Sequence, residues 1–302
     1  MDVRHLELLR ELDDRGSVTA VAAATHRTPS AVSQQLRSAE RAFGAPLVQA
    51  QGRGLRLTDA GRVLAAAGRD VAIAVAQAQA RWDEFRGTAS GVVSLAALPS
   101  AATFLLPGVL RELVDEPIEV VCTDLDIAEA AYAGLVTDHD VVIAHSSDRT
   151  PPHTEGLLVR RLAREPLDVA MAAGHPLVAQ DRVTPHDLVE WPWIGVPLGY
   201  PFDSVRLAVE EATGRRIDVR QRVRDNRLVE ALVGARECVA VLPRFTAPAG
   251  DAVVLRPLAG IESGRHVVAI LRADRAQRLA VRRVLAALET VAARFEEPAA
   301  SR

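Results

Sequence analysis

Val3, Leu6, Leu9 and Leu12 recur at every third position, and Arg4, Glu7, Arg10 and Glu11 fill the places between them. That spacing predicts an amphipathic helix, ended near Gly16. Ser17 is set to cap a second, short helix over 18–25, whose alanines let a neighbouring helix come close. A third helix has the sharpest limits. Thr28 is a good N-cap, and Pro29 suits the first helical position because its missing N–H would be unpaired there anyway. Gly44 can take the left-handed conformation that closes the far end. Within the helix, Val32, Leu36, Ala39 and Phe43 make one apolar stripe, while Ser33, Gln34, Arg37 and Arg41 make the opposite, polar one. Residues 51–57 then alternate like a strand behind a glycine turn, which predicts a short β-tip with Arg53 at its end and Arg56 nearby.

Thr58 can cap a helix over 59–86, spanning roughly 42 Å at 1.5 Å per residue. Nine alanines between 60 and 80 favour it. Val63, Ala67, Val71, Ala74, Ala78, Trp82 and Phe85 share one side. A helix this long, leaving a small domain, cannot easily bury that stripe within one chain. Pairing with a second copy would bury it; packing against the chain's own C-terminal part is the alternative.

Gly87-Thr88-Ala89-Ser90-Gly91 reads as a hinge, and the pattern changes after it. Strands are predicted over 92–98, 118–123 and 140–144, with helices over 102–113 and 127–135. Further short elements fall over 157–162, 167–172, 193–196, 204–212, 218–223, 228–233, 239–242 and 267–271, and a last helix over 275–295. Alternation of this kind indicates an α/β architecture.

Composition narrows the picture. A chain of 302 residues suggests about two or three domains. With 49% hydrophobic and 25% charged residues it is not disordered throughout. Cys122 and Cys238 lie far apart, which is neither a disulfide framework nor a zinc knuckle and fits a reducing compartment such as the cytoplasm. The charged start of the chain does not read as a signal peptide. The uncharged stretch 87–110 is cut by Pro99 and Pro107, so it reads as a strand and a helix rather than a membrane span. The net charge of -3 hides an asymmetry. Over 15–58, six arginines face a single acid, Glu40, and no lysine occurs anywhere. A basic module on an otherwise acidic chain points to a polyanionic partner at one end only.

The third helix has the chemistry for a DNA groove. Ser33 and Gln34 can hydrogen-bond base edges, and Arg37 and Arg41 can take guanine or phosphate. The free N–H groups behind Thr28, Pro29 and Ser30 attract phosphate. Arg53 and Arg56 on a basic β-tip suit a minor groove or a phosphate. From the helix alone, a merely solvated face is the alternative.

Several motifs stand together at fixed spacing. They are Gly16-Ser17-Val18-Thr19-Ala20-Val21-Ala22, Thr28-Pro29-Ser30-Ala31-Val32-Ser33-Gln34-Gln35-Leu36, Glu40, Phe43-Gly44-Ala45-Pro46-Leu47, and Gly52-Arg53-Gly54-Leu55-Arg56-Leu57-Thr58-Asp59-Ala60-Gly61. In these the chain resembles the N-terminal part of LysR-type transcriptional regulators. The family often has Gln at the place of Thr28, Arg at that of Gln34, Leu-Glu at Ala39-Glu40, and Leu-Phe-x-Arg at Leu47-Val48-Gln49-Ala50. The last difference removes a basic backbone contact, and the first two leave the preferred base sequence open. Glu165-Pro166-Leu167, Gly174-His175-Pro176-Leu177 and Val239-Ala240-Val241-Leu242-Pro243 resemble, less specifically, the family's effector-binding region. There the family often has glycines where this chain has Arg236-Glu237-Cys238.

The resemblance implies a multidomain α and α/β chain. A winged helix-turn-helix DNA-binding domain would occupy 1–58 and a linker and dimerisation helix 59–87. An effector-binding domain over 88–302 would follow, with the two-lobed fold of type II periplasmic binding proteins. Lobe one would take about 91–162 and 267–295, and lobe two about 163–266. It also implies promoter DNA as a partner, self-association as a homodimer or homotetramer, with the choice between them left open, and a small-molecule effector in the cleft.

In open α/β sheets a ligand sits beyond the carboxyl ends of the strands. Ser100 and Thr103 open a helix after the first strand and align with family positions that touch effector. Hydroxyls and free N–H groups there suit a carboxylate. Ordinary capping is the alternative. Across the cleft Tyr200, Phe202, Asp225 and Asn226 are candidates, or else loop and cap residues. No catalytic set is expected. The eight histidines lack metal spacing, and no Gly-x-Ser-x-Gly elbow, Walker loop or Gly-x-Gly-x-x-Gly fingerprint occurs. Asp124 and Asp126 read as turn residues, His139 and His145 as structural, and His175 as part of a turn. The expectation is a regulator without cofactor, metal or enzymatic activity. An enzyme carrying a DNA module and a ligand-independent architectural DNA protein are the rivals. Effector, operator and the sign of regulation are not readable from the chain.

Overall fold

The computed structural model describes residues 2–52, 54–148, 150–200, 202–247 and 252–295. They divide into two compact units, one of residues 2–88 with 272–279, the other of 89–271 with 280–295.

The first unit is built from α1 (Val3–Arg15), α2 (Val18–Ala24), α3 (Pro29–Phe43), a hairpin of β1 (Val48–Gln51) and β2 (Gly54–Leu57), and the long α4 (Asp59–Phe85). Side chains start these helices where the sequence has capping residues. Ser17 accepts from the Ala20 N–H, Thr28 from Ala31 and Thr58 from Gly61. Gly16 and Gly44 end α1 and α3 in the left-handed conformation, at φ +69° and +66°. Leu9, Leu12, Val21, Val32, Leu36, Ala39, Leu47 and Leu57 make the core. Val3, the first member of the predicted α1 stripe, is exposed, and Leu8 is buried with the rest. Residues 272–279 close the unit. Arg272 pairs with Asp14 and Asp274, and Asp274 also with Arg10 of α1.

Two glycines let α4 lie against its neighbours. A Cβ on Gly61 would stand 2.2 Å from the Leu47 carbonyl oxygen, and one on Gly68 2.6 Å from that of Leu6. Along the rest of α4, Val63, Val75, Trp82 and Phe85 are exposed, and Trp82 stacks on Phe85.

The second unit holds one nine-stranded mixed sheet. Its elements are β3 (Gly91–Ala97), α5 (Pro99–Glu112), β4 (Ile118–Asp124), β5 (Val141–Ser146), β6 (Leu158–Ala172), α6 (Pro185–Leu188), β7 (Trp193–Gly195), α7 (Asp203–Thr213), β8 (Val219–Arg222), α8 (Asn226–Gly234), β9 (Val239–Pro243), β10 (Val253–Arg256), β11 (Gly264–Leu271) and α9 (Leu279–Ala292). The order β4-β3-β5-β11-β6-β9-β7-β8, with β10 also on β6, separates two lobes. One lobe gathers β4, β3, β5 and β11 on the first half of β6, and the other gathers β9, β7, β8 and β10 on its second half. The chain therefore crosses once within β6 and returns before β11. Buried Val93, Leu95, Ile143 and Ile270 form the sheet core of the first lobe, and Leu167, Met171, Trp193 and Val209 that of the second.

Four local readings are corrected. The elements expected over 157–162 and 167–172 are one strand, because β11 pairs with its first part and β9 with its second. Pro166 sits where the partner changes from β11 to β9. The helix expected over 127–135 is a 3-10 helix, Glu129–Thr137. Ala128 offers no capping side chain and Gly134 weakens an α-helix, while buried Ala133 and Val136 have the three-residue spacing of the tighter coil. The last helix is interrupted: a 3-10 turn, Arg275–Gln277, lies in the first unit, and α9 begins only after Arg278, at ψ 131°. The α5 helix begins at Pro99, three residues before the expected start.

Candidate functional site

Two places concentrate the residues singled out by sequence. In the first unit, α2 and α3 meet through a turn in which His26 takes the left-handed region at φ 53°. The apolar side of α3 is buried, so its other side is turned out. Thr28, Pro29, Ser30, Gln34, Arg37 and Arg41 are exposed and Ser33 is half-buried. Thr28 and Ser30 share a hydrogen bond of 3.0 Å. Gln35, next to Gln34, is half-buried and engaged within the fold. Its amide donates to the Arg4 carbonyl at 2.7 Å, and its oxygen accepts from Arg27 at 2.5 Å. Glu40 likewise serves the fold, accepting from the Leu47 N–H at 3.0 Å. On the hairpin, Leu57 enters the core and Arg56, its neighbour on the pleat, is exposed opposite Gln49. Gly52, at φ +58°, leads out of β1. Arg53, the expected tip residue, lies outside the described residues.

In the second unit a cavity of about 540 Å³ lies between the lobes. Ser100, Thr103, Tyr200, Phe202, Asp225 and Asn226 all line it. Ser100 and Thr103 reach it because α5 starts directly at the end of β3, with Pro99 at the first helical position. The hydroxyl of Thr103 donates back to the Pro99 carbonyl at 2.9 Å. Asp225 caps α8, accepting from the Leu228 N–H at 2.9 Å, so its capping and cavity positions coincide. Tyr200 accepts a long 3.3 Å contact from Arg224, whose guanidinium also reaches the Asp126 carbonyl at 3.4 Å.

The residue at the centre was not among the candidates. Arg265 is 1% exposed and meets Glu165, 0% exposed, its partner across the ladder. Its Nε and Nη2 donate to one Glu165 oxygen at 2.8 and 2.5 Å. Its Nη2 also donates to the Ser100 hydroxyl at 2.8 Å, and its guanidinium lies 5.3 Å from the centre of the Phe202 ring. His145, read from sequence as structural, lines the same cavity beside it. Burial and the adjacent Arg265 charge push the His145 pKa down to about 3, so the ring is neutral at physiological pH. Asp126, read as a turn residue, also lines the cavity, and burial raises its pKa against the pull of Arg224 and Arg265. Arg265, at the mouth of an apolar run, escapes a sequence reading, and Glu165 enters it only as part of a family motif, with no sign of its partner. Only the antiparallel register joins residues a hundred positions apart.

Among the described residues no helix is long and apolar enough to cross a membrane. His175 occupies the turn expected of it, its Nδ1 accepting from the Leu177 N–H.

Comparison with known proteins places these units. Residues 3–62 match the family described as bacterial regulatory helix-turn-helix protein, lysR family, and residues 86–293 the LysR substrate binding domain. The HTH-type transcriptional regulator GbpR of Rhizobium radiobacter is 28% identical over 200 residues, covering 65% of this chain and 65% of its own length. A full-length OxyR variant from Pseudomonas aeruginosa has a TM-score of 0.66 at 18% identity, over 97% of this chain and 94% of that one. CbnR complexed with its target DNA has a TM-score of 0.55 at 20% identity, over 97% and 100%. At these identities the structures speak to the fold alone.

Proposed function

The chain belongs to the LysR family, and on that premise we propose that it regulates transcription by binding promoter DNA and answering to a small molecule. In this reading α3 enters the major groove with Ser33 and Gln34 toward base edges. Arg37, Arg41 and the N-terminal residues Thr28, Pro29 and Ser30 lie along phosphates, and Arg56 and Arg53 on the wing take the backbone or minor groove. The observation that carries it is the division of α3. One side is locked into the core, and the side left over bears Ser30, Gln34, Arg37 and Arg41, groups able to pair with bases or phosphates.

The protein acts as a homodimer, with α4 as the seam, and dimers associate into a tetramer. Support for the seam is the exposed apolar row Val63, Val75, Trp82 and Phe85 on an otherwise well-packed unit. Residues 1–58, 59–87 and 88–302 are then the DNA-binding, linking and effector-binding parts, and the cytoplasm is the place of work. The effector occupies the cavity between the lobes, in contact with Ser100, Thr103, Tyr200, Phe202, Asp225 and Asn226. Its volume lies within the usual range for small-molecule sites, about 300–1,000 Å³. Binding favours one arrangement of the lobes and so shifts the equilibrium between DNA-bound forms.

Selection from a randomised duplex library by the full chain tests the DNA reading. The expected outcome is a motif with dyad symmetry, bound much more tightly than random duplex at physiological salt. Recovery of no preferred sequence would sink it.

A further inference from the structure

Arg27, in the turn between α2 and α3, has no place among the contacts proposed above, yet the fold fixes both its backbone and its side chain. Its N–H donates to the Ala22 carbonyl at 2.8 Å, and that of His26 to the Ala23 carbonyl at 3.3 Å. With His26 left-handed at φ 53°, this pair of bonds closes α2 in an ending usually built on glycine. A residue other than glycine takes that conformation at a cost, and such strain gathers at functional places. The next residue, Thr28, caps α3. The backbone of Arg27 is therefore set between two helix ends.

The side chain is tied as well. Nη1 of Arg27 donates to Oε1 of Gln35 at 2.5 Å, and Nε2 of Gln35 donates to the Arg4 carbonyl at 2.7 Å. A guanidinium only donates and a carbonyl only accepts, so the two partners fix which way the amide points. Arg27 is exposed and Gln35 half-buried. A hydrogen bond on so exposed a side chain adds little to stability, while ordering an arginine costs rotamer entropy. The tether matters for what the guanidinium presents. With Nη1 held, the Nε–Nη2 edge is left without a partner among the described residues. That edge is a fork of two N–H groups, the shape that matches two phosphate oxygens. Arg27 also shares one groove with Gln34, Ser38 and Arg41. These three lie four and seven residues apart on a single side of α3, and Arg27 extends their row past the start of the helix. Of the acids lining that groove, Asp2 is paired with Arg4, and Glu11 with Arg10 and Arg15, which leaves Glu7 against Arg27 and Arg41.

We propose that Arg27 is a phosphate-binding residue of the DNA interface and that Gln35 is its positioning residue, holding Nη1 so that the Nε–Nη2 edge meets the strand that flanks α3. The contact reads no base. It fixes the register in which Ser33 and Gln34 meet theirs. Because the arginine is ordered before DNA arrives, less freedom is lost on binding. This inference rests on α3 being the DNA-facing helix.

The test titrates the full-length wild type, Arg27→Ala, Gln35→Ala and the double variant by fluorescence anisotropy, over a salt series, against the duplex recovered by selection and a random duplex. Arg27→Ala should weaken binding to both duplexes alike, by roughly tenfold or more. The slope of log affinity against log salt should fall by about one for each copy in contact. Gln35→Ala should weaken binding when Arg27 is present and add nothing when Arg27 is already alanine. Its effect on thermal unfolding, through the lost bond to α1, should persist in both backgrounds, which separates a structural role from a positioning one. Unchanged affinity and slope in Arg27→Ala would overturn the phosphate contact. A loss confined to the selected duplex would make Arg27 a base reader and overturn it equally. A Gln35→Ala loss just as large without Arg27 would overturn the positioning role. Wild type that binds neither duplex would instead remove α3 from the DNA interface, and this inference with it.

Discussion

Glu165 shows how much one side chain can hold at the residue scale. It neutralises Arg265, accepts the Phe245 N–H and has no contact with water. Glu165→Ala would leave a buried guanidinium unpaired, which should lower unfolding free energy by about 3–5 kcal/mol in a urea titration. Glu165→Leu combined with Arg265→Met should recover most of that loss, because the apolar pair removes both charges. A double variant as unstable as the single one would mean that shape, not charge, sets the cost. His145 makes a pH prediction. Its folded pKa, about 3, lies below the ordinary value of 6.5, so between those limits the unfolded chain binds the extra proton. Its contribution is therefore complete above pH 6.5 and lost as pH falls toward about 3. His145→Asn should flatten the decline of stability over that window and leave its slope above about pH 7 unchanged. Parallel curves for wild type and variant would contradict the buried, neutral ring.

Elements meet through backbone as well as side chains, and α4 is the clear case. Gly61→Ala gains about 1 kcal/mol of helix propensity. Against this, the new Cβ would stand 2.2 Å from the Leu47 carbonyl oxygen, and overpacking of that kind costs typically about 1–3 kcal/mol or more. The steric effect should win, and the melting temperature should fall. Gly134, with open space around its Cβ position, is the control, and Gly134→Ala should be neutral or slightly stabilising. On α3, Gln34→Ala should weaken binding to the selected duplex by about 1–3 kcal/mol and to random duplex far less. Equal losses on both would move Gln34 to the backbone. Arg56→Ala should weaken both alike and reduce the slope of log affinity against log salt by about one.

For the whole molecule the question is what covers α4. Phe85 is 81% exposed and Val63 69%, on a helix whose other side is packed. Ala74 is exposed in the same row. Ala74→Asp would place a carboxylate in a paired-helix seam, where an unpaired charge is costly. Sedimentation should then report a smaller species than wild type, with the helix content unchanged. A variant that keeps the wild-type mass would assign the seam to another surface.

Local chemistry made much of this molecule legible in the chain itself. The capping side chains of Ser17, Thr28 and Thr58, the left-handed glycines 16 and 44, and the stripe Val32, Leu36 and Ala39 all act over a few residues, so their pattern states the element directly. Ser100, Thr103, Tyr200, Phe202, Asp225 and Asn226 are cleft candidates through the resemblance to a two-lobed family, with strand and helix ends to guide it, and all six line the cavity. What tertiary structure alone decided depends on pairing between distant segments. β6 is one strand because two different partners continue its ladder through Pro166. Arg265 and Glu165 carry no local sign of each other. Antiparallel registry brings them together, burial makes their charges answer only to one another, and the direction of the guanidinium's hydrogens then orients Ser100 and His145 in the cavity.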